Sequence, residues 1–129
     1  MMRRFAAASM VASAAIGVGA VFVLATPGLE PQRLYPLAFM WCVLPLAWGI
    51  WAMFAPQSWV PERLPWWGAI LGVVAGVFGA LVLNLPERIL GVSYPLGGRA
   101  IALVAVALFY YLLWHLVRTA WLALADGSR

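Results

Sequence analysis

The chain has 129 residues, of which 66% are hydrophobic and 9% are charged, and its net charge is +4 at pH 7. Soluble domains have about 45–50% apolar and about 25% charged residues, so this chain has too little polar surface to coat a water-soluble globule. Its arginines are spread along the sequence and form no basic cluster with interleaved aromatic residues, so we expect no nucleic-acid partner.

Long apolar stretches dominate the sequence and predict transmembrane helices, which need about 20 mostly apolar residues each. Four such stretches run about 5–26, 35–55, 66–85 and 100–125. A proline, which cannot continue the helical hydrogen-bond ladder, follows each of the first three, namely Pro27, Pro56 and Pro86. Because lipid offers no partner for open backbone groups, we predict an all-α bundle of four transmembrane helices with short loops, forming one domain over 1–129.

The first stretch admits a second interpretation, as a secretory signal peptide. Arg3 and Arg4 precede its apolar run, and Ala25 supplies a small residue near its end. The run has about 20 residues, whereas the apolar region of a signal peptide typically has about 7–15. We therefore expect a retained helix, with cleavage as the alternative.

The second stretch contains Pro45 at mid-span, and this residue predicts a kink. Proline removes one backbone donor, which leaves the carbonyl of Trp41 without its usual helical partner. Broken helices can expose backbone to a substrate or an ion in transporters, but a plain kink is the simpler interpretation. Beyond this stretch, Trp59, Trp66 and Trp67 lie at the next membrane boundary, where aromatic rings act as interface anchors.

The third stretch carries glycines at helical spacing. Gly68, Gly72 and Gly76 are four residues apart, and Gly79 follows. Residues four apart share one helix face, and a face of small residues lets another helix come close in lipid. This glycine face (Gly68, Gly72, Gly76 and Gly79) indicates packing within the bundle or, alternatively, contact with a second copy or a partner subunit.

The fourth stretch carries a polar stripe. Tyr111, His115 and Arg118 share a face because they are spaced i, i+4 and i+7. We interpret all three as interface anchors, Tyr111 and Arg118 above all. His115 is the sole candidate for binding a haem or a quinone, but one histidine cannot supply both axial haem ligands. Cys42 is the single cysteine, so we expect no metal site and no cofactor.

Arginine placement predicts the orientation, since cytoplasmic loops carry an excess of basic residues. With the N-terminus inside, the cytoplasmic arginines outnumber the external ones by five to three. The cytoplasmic ones would be Arg3, Arg4, Arg63, Arg118 and Arg129, and the external ones Arg33, Arg88 and Arg99. The absence of lysine is typical of a GC-rich bacterial genome. We therefore expect a bacterial inner-membrane protein with both termini in the cytoplasm.

The sequence lacks residues and motifs that ion transport and catalysis commonly use, and their absence narrows the possible functions. No Asp, Glu or Lys lies within the apolar stretches, although intramembrane acids are the usual proton or cation sites. No phosphate-binding loop, paired carboxylates or catalytic motif is visible, so we expect no enzyme. Our first hypothesis is a non-catalytic accessory, anchoring or assembly subunit of a larger membrane complex, favouring a hetero-complex. The alternative is a small homo-oligomeric transporter or channel. It is suggested by Pro45, by the glycine-lined third stretch, and by a possible internal repeat in which Tyr-Pro-Leu begins at both Tyr35 and Tyr94.

Overall fold

The computed structural model describes residues 1–28, 35–82, 84, 87, 91, 93 and 95–127. These residues form four α-helices and no strand, which confirms the predicted all-α class for this part of the chain. Helix α1 spans Met2–Ala25, α2 spans Tyr35–Met53, α3 spans Leu64–Val77 and α4 spans Leu96–Asp126. A 3₁₀ turn, Gln57–Trp59, precedes α3, and a π-helical segment, Phe78–Val82, follows it. Interpretations that rest on Arg33, Pro86, Arg88, Tyr94 and Arg129 lie outside the described residues.

Two of the helices, α1 and α4, are long and apolar enough to cross a membrane. Only 17% of the most apolar window of α1, and 11% of that of α4, is buried by the rest of the chain. The shorter apolar helical stretches are Trp41–Met53 in α2 and Leu64–Ala80 in α3 with the start of the π-helical segment. The structure therefore identifies two candidate spans where the sequence predicts four.

The described residues divide into two compact units. The first unit comprises Met1–Ala55 together with the chain from Thr119 onward, and the second comprises Pro56–Arg118. Helix α4 contributes residues to both units, because the division falls between Arg118 and Thr119. Each unit has buried residues of its own.

In the first unit, helices α1 and α2 pack against each other through small residues. The buried side chains include Ala7, Ala8 and Ala12 of α1 and Trp48 and Ala52 of α2. Alanine at these positions lets two helix backbones approach closely, as small residues do between membrane helices.

Two polar contacts join segments of the first unit. The Ser9 hydroxyl donates a hydrogen bond to the carbonyl of Pro45, with an oxygen-to-oxygen distance of 2.9 Å. The Arg4 guanidinium donates to the carbonyl of Ala55, with a nitrogen-to-oxygen distance of 2.8 Å. Carbonyls near the C-terminal end of a helix lack intrahelical donors, so Arg4 satisfies a backbone group in the buried residue that follows α2.

In the second unit, α3 packs against α4. Its buried residues include Leu64, Pro65, Trp114 and Val117. Glu87 precedes α4, and its carboxylate pairs at 3.0 Å with the guanidinium of Arg99 in the first turn of that helix. Arg99 is 12 positions away from Glu87 in the sequence. The residues next to Glu87 therefore do not reveal this pair, and they suggest only a solvated loop charge.

Candidate functional site

The segment before α3 brings two tryptophans together. The backbone N–H of Arg63 donates to the carbonyl of Trp59 at 2.7 Å, which holds the chain in a tight turn as it enters the helix. The ring centroids of Trp59 and Trp67 lie 6.0 Å apart at an interplanar angle of 85°. This edge-to-face arrangement is one that aromatic pairs prefer, and it fixes Trp59 beside the first turn of α3.

The glycine face of α3 contacts α4 within the second unit. A Cβ atom on Gly68 would collide with the side chain of Trp114. A Cβ atom on Gly72 would lie 2.8 Å from the Cβ of Tyr110 and 3.0 Å from the Cα of Ala107. Contacts this short require the absence of a side chain at both glycines.

The remaining glycines of this face differ from Gly68 and Gly72. A Cβ atom on Gly76 would lie 3.3 Å from the Cδ1 of Leu103, a flexible side-chain end. Gly79 is buried within the π-helical segment, so it no longer follows the 3.6-residue period that places the other three on one face. The close approach between α3 and α4 is therefore concentrated at Gly68 and Gly72.

A row of aromatic rings runs from α3 along α4. The ring centroids of Trp66 and Tyr111 are 5.1 Å apart at 61°, and those of Tyr111 and His115 are 5.0 Å apart at 82°. Of the three side chains, Tyr111 is half-buried, whereas Trp66 and His115 are exposed. Tyr111 thus acts as the central ring that orients its two neighbours.

An open groove of about 670 Å³ lies beside this row in the second unit. We call it the aromatic groove, and it is lined by Trp59, Arg63, Trp66, Ala69, Ile70, Val73 and Ala107. Arg63 is the single charged residue of this lining, and it lies at the N-cap of α3. The groove therefore combines an apolar wall with one cationic end.

The other predicted site residues are not part of the groove lining. Pro45 lies inside α2, where its carbonyl accepts the hydrogen bond from Ser9. Arg118 is half-buried, and among the described residues no acceptor reaches its buried Nε atom. Cys42 is exposed on α2, and the described residues contain no group of three or more histidine, cysteine or acidic side chains able to hold a metal ion.

Sequence reasoning missed the aromatic groove, although a signal for it exists. It interpreted Trp59 and Trp66 as separate anchors, and it used Arg63 only to orient the chain. Arg63, Trp66, Ile70 and Val73 follow one another at steps of three, four and three residues, which places them on one helix face. A charged residue followed by apolar residues at this spacing predicts an apolar helix face with one cationic end, but it does not predict the part of the lining that Trp59 and Ala107 contribute.

Comparison with known proteins identifies no relative. No protein-family model, curated protein or solved structure matches the chain.

Proposed function

We propose that this chain is a non-catalytic accessory or anchoring subunit of a larger complex in a bacterial inner membrane. The observation that carries the proposal is the small buried share of α1 and α4, 17% and 11% of their most apolar windows. Large apolar side chains on both helices are uncovered by the chain itself. Exposing apolar surface to water costs about 25 cal/mol per Å², so a bilayer or other subunits must cover these faces.

The proposal extends to all four helices as membrane spans. Helix α3 contains 14 residues, and the π-helical segment that follows it contains 5. At about 1.5 Å per residue this length is about 28 Å, close to the roughly 30 Å thickness of the hydrocarbon core. The 19 residues of α2 give a similar length. With four spans and an arginine bias toward the cytoplasm, both termini lie on the cytoplasmic side.

The buried residues support a packing role over transport. Among the described residues no polar or charged side chain is buried, and the core consists of Ala, Leu, Val and Trp. Ion pathways and proton relays use ionisable residues that face the interior of the protein. Large apolar faces with a glycine-based helix contact are instead what a subunit needs to assemble with other helices in lipid.

The second candidate function is a small homo-oligomeric transporter or channel, and two interruptions of regular helix favour it. Pro45 lies within α2, and the π-helical segment Phe78–Val82 follows α3. Both features remove backbone groups from the regular α-helical ladder, and π-helical turns are frequent at functional sites.

The test is purification of the tagged chain from its native membrane into lipid nanodiscs, followed by mass measurement and identification of bound chains. The proposal expects the chain in carbonate-washed membranes and a hetero-complex with defined stoichiometry. A symmetric homo-oligomer with measurable flux in liposomes would establish the second candidate instead. A chain that carbonate releases from the membrane would overturn both.

A fusion of alkaline phosphatase after residue 127 should be inactive, because the proposal places that end in the cytoplasm.

A further inference from the structure

The aromatic groove has a cationic end and an apolar length. Arg63 lies at one end, and α3 continues through Ile70 to Val73, which are 39% and 40% exposed. Val73 comes ten positions after Arg63, which is about 15 Å along a helix axis. The groove therefore offers one charged contact and an apolar wall long enough for much of an acyl chain.

The charge at this end is available to a ligand. Arg63 is exposed, and among the described residues no carboxylate pairs with its guanidinium. Its neighbour Glu62 is also exposed, but it does not line the groove. Arginine presents a planar fork of donors that matches the oxygens of a phosphate.

Aromatic rings next to Arg63 are suited to the headgroup level of a membrane. Trp59 and Trp66 line the groove, and each is held by an edge-on ring partner, Trp67 and Tyr111 respectively. Tryptophan is enriched at this depth because its ring is apolar and its N–H group is polar. The order of groups in the groove, cation, aromatic rings and then aliphatic side chains, follows the order of phosphate, glycerol region and acyl chain in a phospholipid.

We propose that the aromatic groove binds one anionic diacyl phospholipid, with its phosphate at Arg63 and an acyl chain along Ile70 and Val73. This inference rests on the proposed membrane location. Charge complementarity selects an anionic phospholipid over a neutral isoprenoid, which would leave Arg63 without a counter-charge. The open shape of the groove gives a lipid lateral access from the bilayer.

The experiment uses the full chain in nanodiscs with equal amounts of phosphatidylglycerol and phosphatidylcholine, analysed by native mass spectrometry. The chain should retain one phosphatidylglycerol in preference to phosphatidylcholine. Arg63→Gln should lower this preference about tenfold, because the bound phosphate loses a charge-assisted hydrogen-bond donor within the groove. Arg3→Gln removes the same charge at an exposed position outside the groove and should leave the preference unchanged.

A second pair of variants tests the apolar wall. Ala69→Phe fills the groove, whereas Ala102→Phe adds the same bulk at an exposed position on α4. A phosphatidylglycerol with a diazirine in its acyl chain should crosslink to the segment that contains Ile70 and Val73. Ala69→Phe should abolish that crosslink, and Ala102→Phe should leave it intact.

Several outcomes would overturn the lipid site. These are equal losses of preference in Arg63→Gln and Arg3→Gln, lipid crosslinks spread evenly over α1 and α4, a native mass with a second copy of the chain in place of the lipid, or a co-purified neutral isoprenoid in place of phosphatidylglycerol. Melting curves that match the unmodified chain show that each variant is folded. Partner chains that remain bound while the lipid preference is absent would reject the site and leave the proposed function standing.

Discussion

In both units two helices pack closely at a glycine, but the contacts that surround this glycine differ between the units. In each, a glycine on one helix receives a large side chain from another: Gly49 of α2 faces Phe5 in the first unit, and Gly68 of α3 faces Trp114 in the second. The first unit adds hydrogen bonds from side chains to backbone carbonyls. The second adds edge-on aromatic pairs.

This difference indicates where each unit is sensitive to change. Hydrogen bonds between membrane helices contribute about 0.6 kcal/mol on average, whereas overpacking a well-filled contact costs about 1–3 kcal/mol. Substitutions at the packed glycines should therefore change the free energy of unfolding most in both units. Substitutions that remove the polar contacts of the first unit should change it less. Substitutions at matched positions can separate these contributions.

The largest effect is expected for Gly68→Leu. A side chain at this position collides with Trp114, which is fully buried, so either α3 and α4 separate or the indole leaves its site. We expect a loss of about 3 kcal/mol in the free energy of unfolding. The measurement is reversible unfolding in detergent, followed by circular dichroism. Gly17→Leu is the control, because no atom lies within 4 Å of a Cβ atom there. Equal losses in both variants would contradict the packed contact.

A smaller loss, about 2 kcal/mol, is expected for Gly49→Ala in the first unit. Its Cβ atom would lie 2.6 Å from the Cδ2 of Phe5 and 2.6 Å from the Oγ of Ser9. Phe5 has room to rotate because it is half-buried, but Ser9 can move only by weakening its hydrogen bond to Pro45. The double variant Gly49→Ala with Phe5→Ala should recover part of the loss. Strictly additive unfolding energies would show that the two residues do not interact.

Removing the hydroxyl in Ser9→Ala should cost about 0.6 kcal/mol, because the bond to Pro45 joins two helices in an apolar setting. Ser13→Ala is the matched control. The Ser13 hydroxyl donates to the carbonyl of Ser9 in its own helix, and it is exposed, so its removal should change the free energy of unfolding by less than about 0.3 kcal/mol. A larger loss in Ser13→Ala than in Ser9→Ala would reverse the proposed order.

The sequence contains enough information for the all-α class, because apolar stretches of about 20 residues with few charges favour helices over every alternative. It also contains the spacing of Gly68, Gly72 and Gly76, which places three glycines on one face. A periodic pattern cannot identify the partner helix, however, because it describes one surface at a time. The contacts with Trp114 and Tyr110 therefore emerge only from the structure.

Other features depend on contacts between residues distant in sequence, so patterns of neighbouring residues do not predict them. The π-helical segment after Val77 changes the register of Gly79, and no local sequence rule predicts it. The pairing of Glu87 with Arg99 joins positions 12 residues apart. The aromatic groove requires Trp59 to fold back beside α3, which the turn before the helix accomplishes.

The smallest expected effect, and the one that reverses sign, is that of Gly76→Ala. Alanine in a helix interior is more favourable than glycine by about 0.5–1 kcal/mol, because glycine loses more backbone freedom on folding. The added Cβ atom would lie 3.3 Å from the terminal Cδ1 of Leu103, which can move by a few tenths of an ångström. We therefore expect a gain of about 0.5 kcal/mol in the free energy of unfolding.

Gly72→Ala has the same backbone advantage, but its Cβ atom would lie 3.0 Å from the Cα of Ala107, a backbone atom that cannot yield independently. It should lose about 1 kcal/mol under the same conditions. A gain in both variants would mean that α4 moves away from α3 at little cost, and the contact at Gly72 would then not be a tight one.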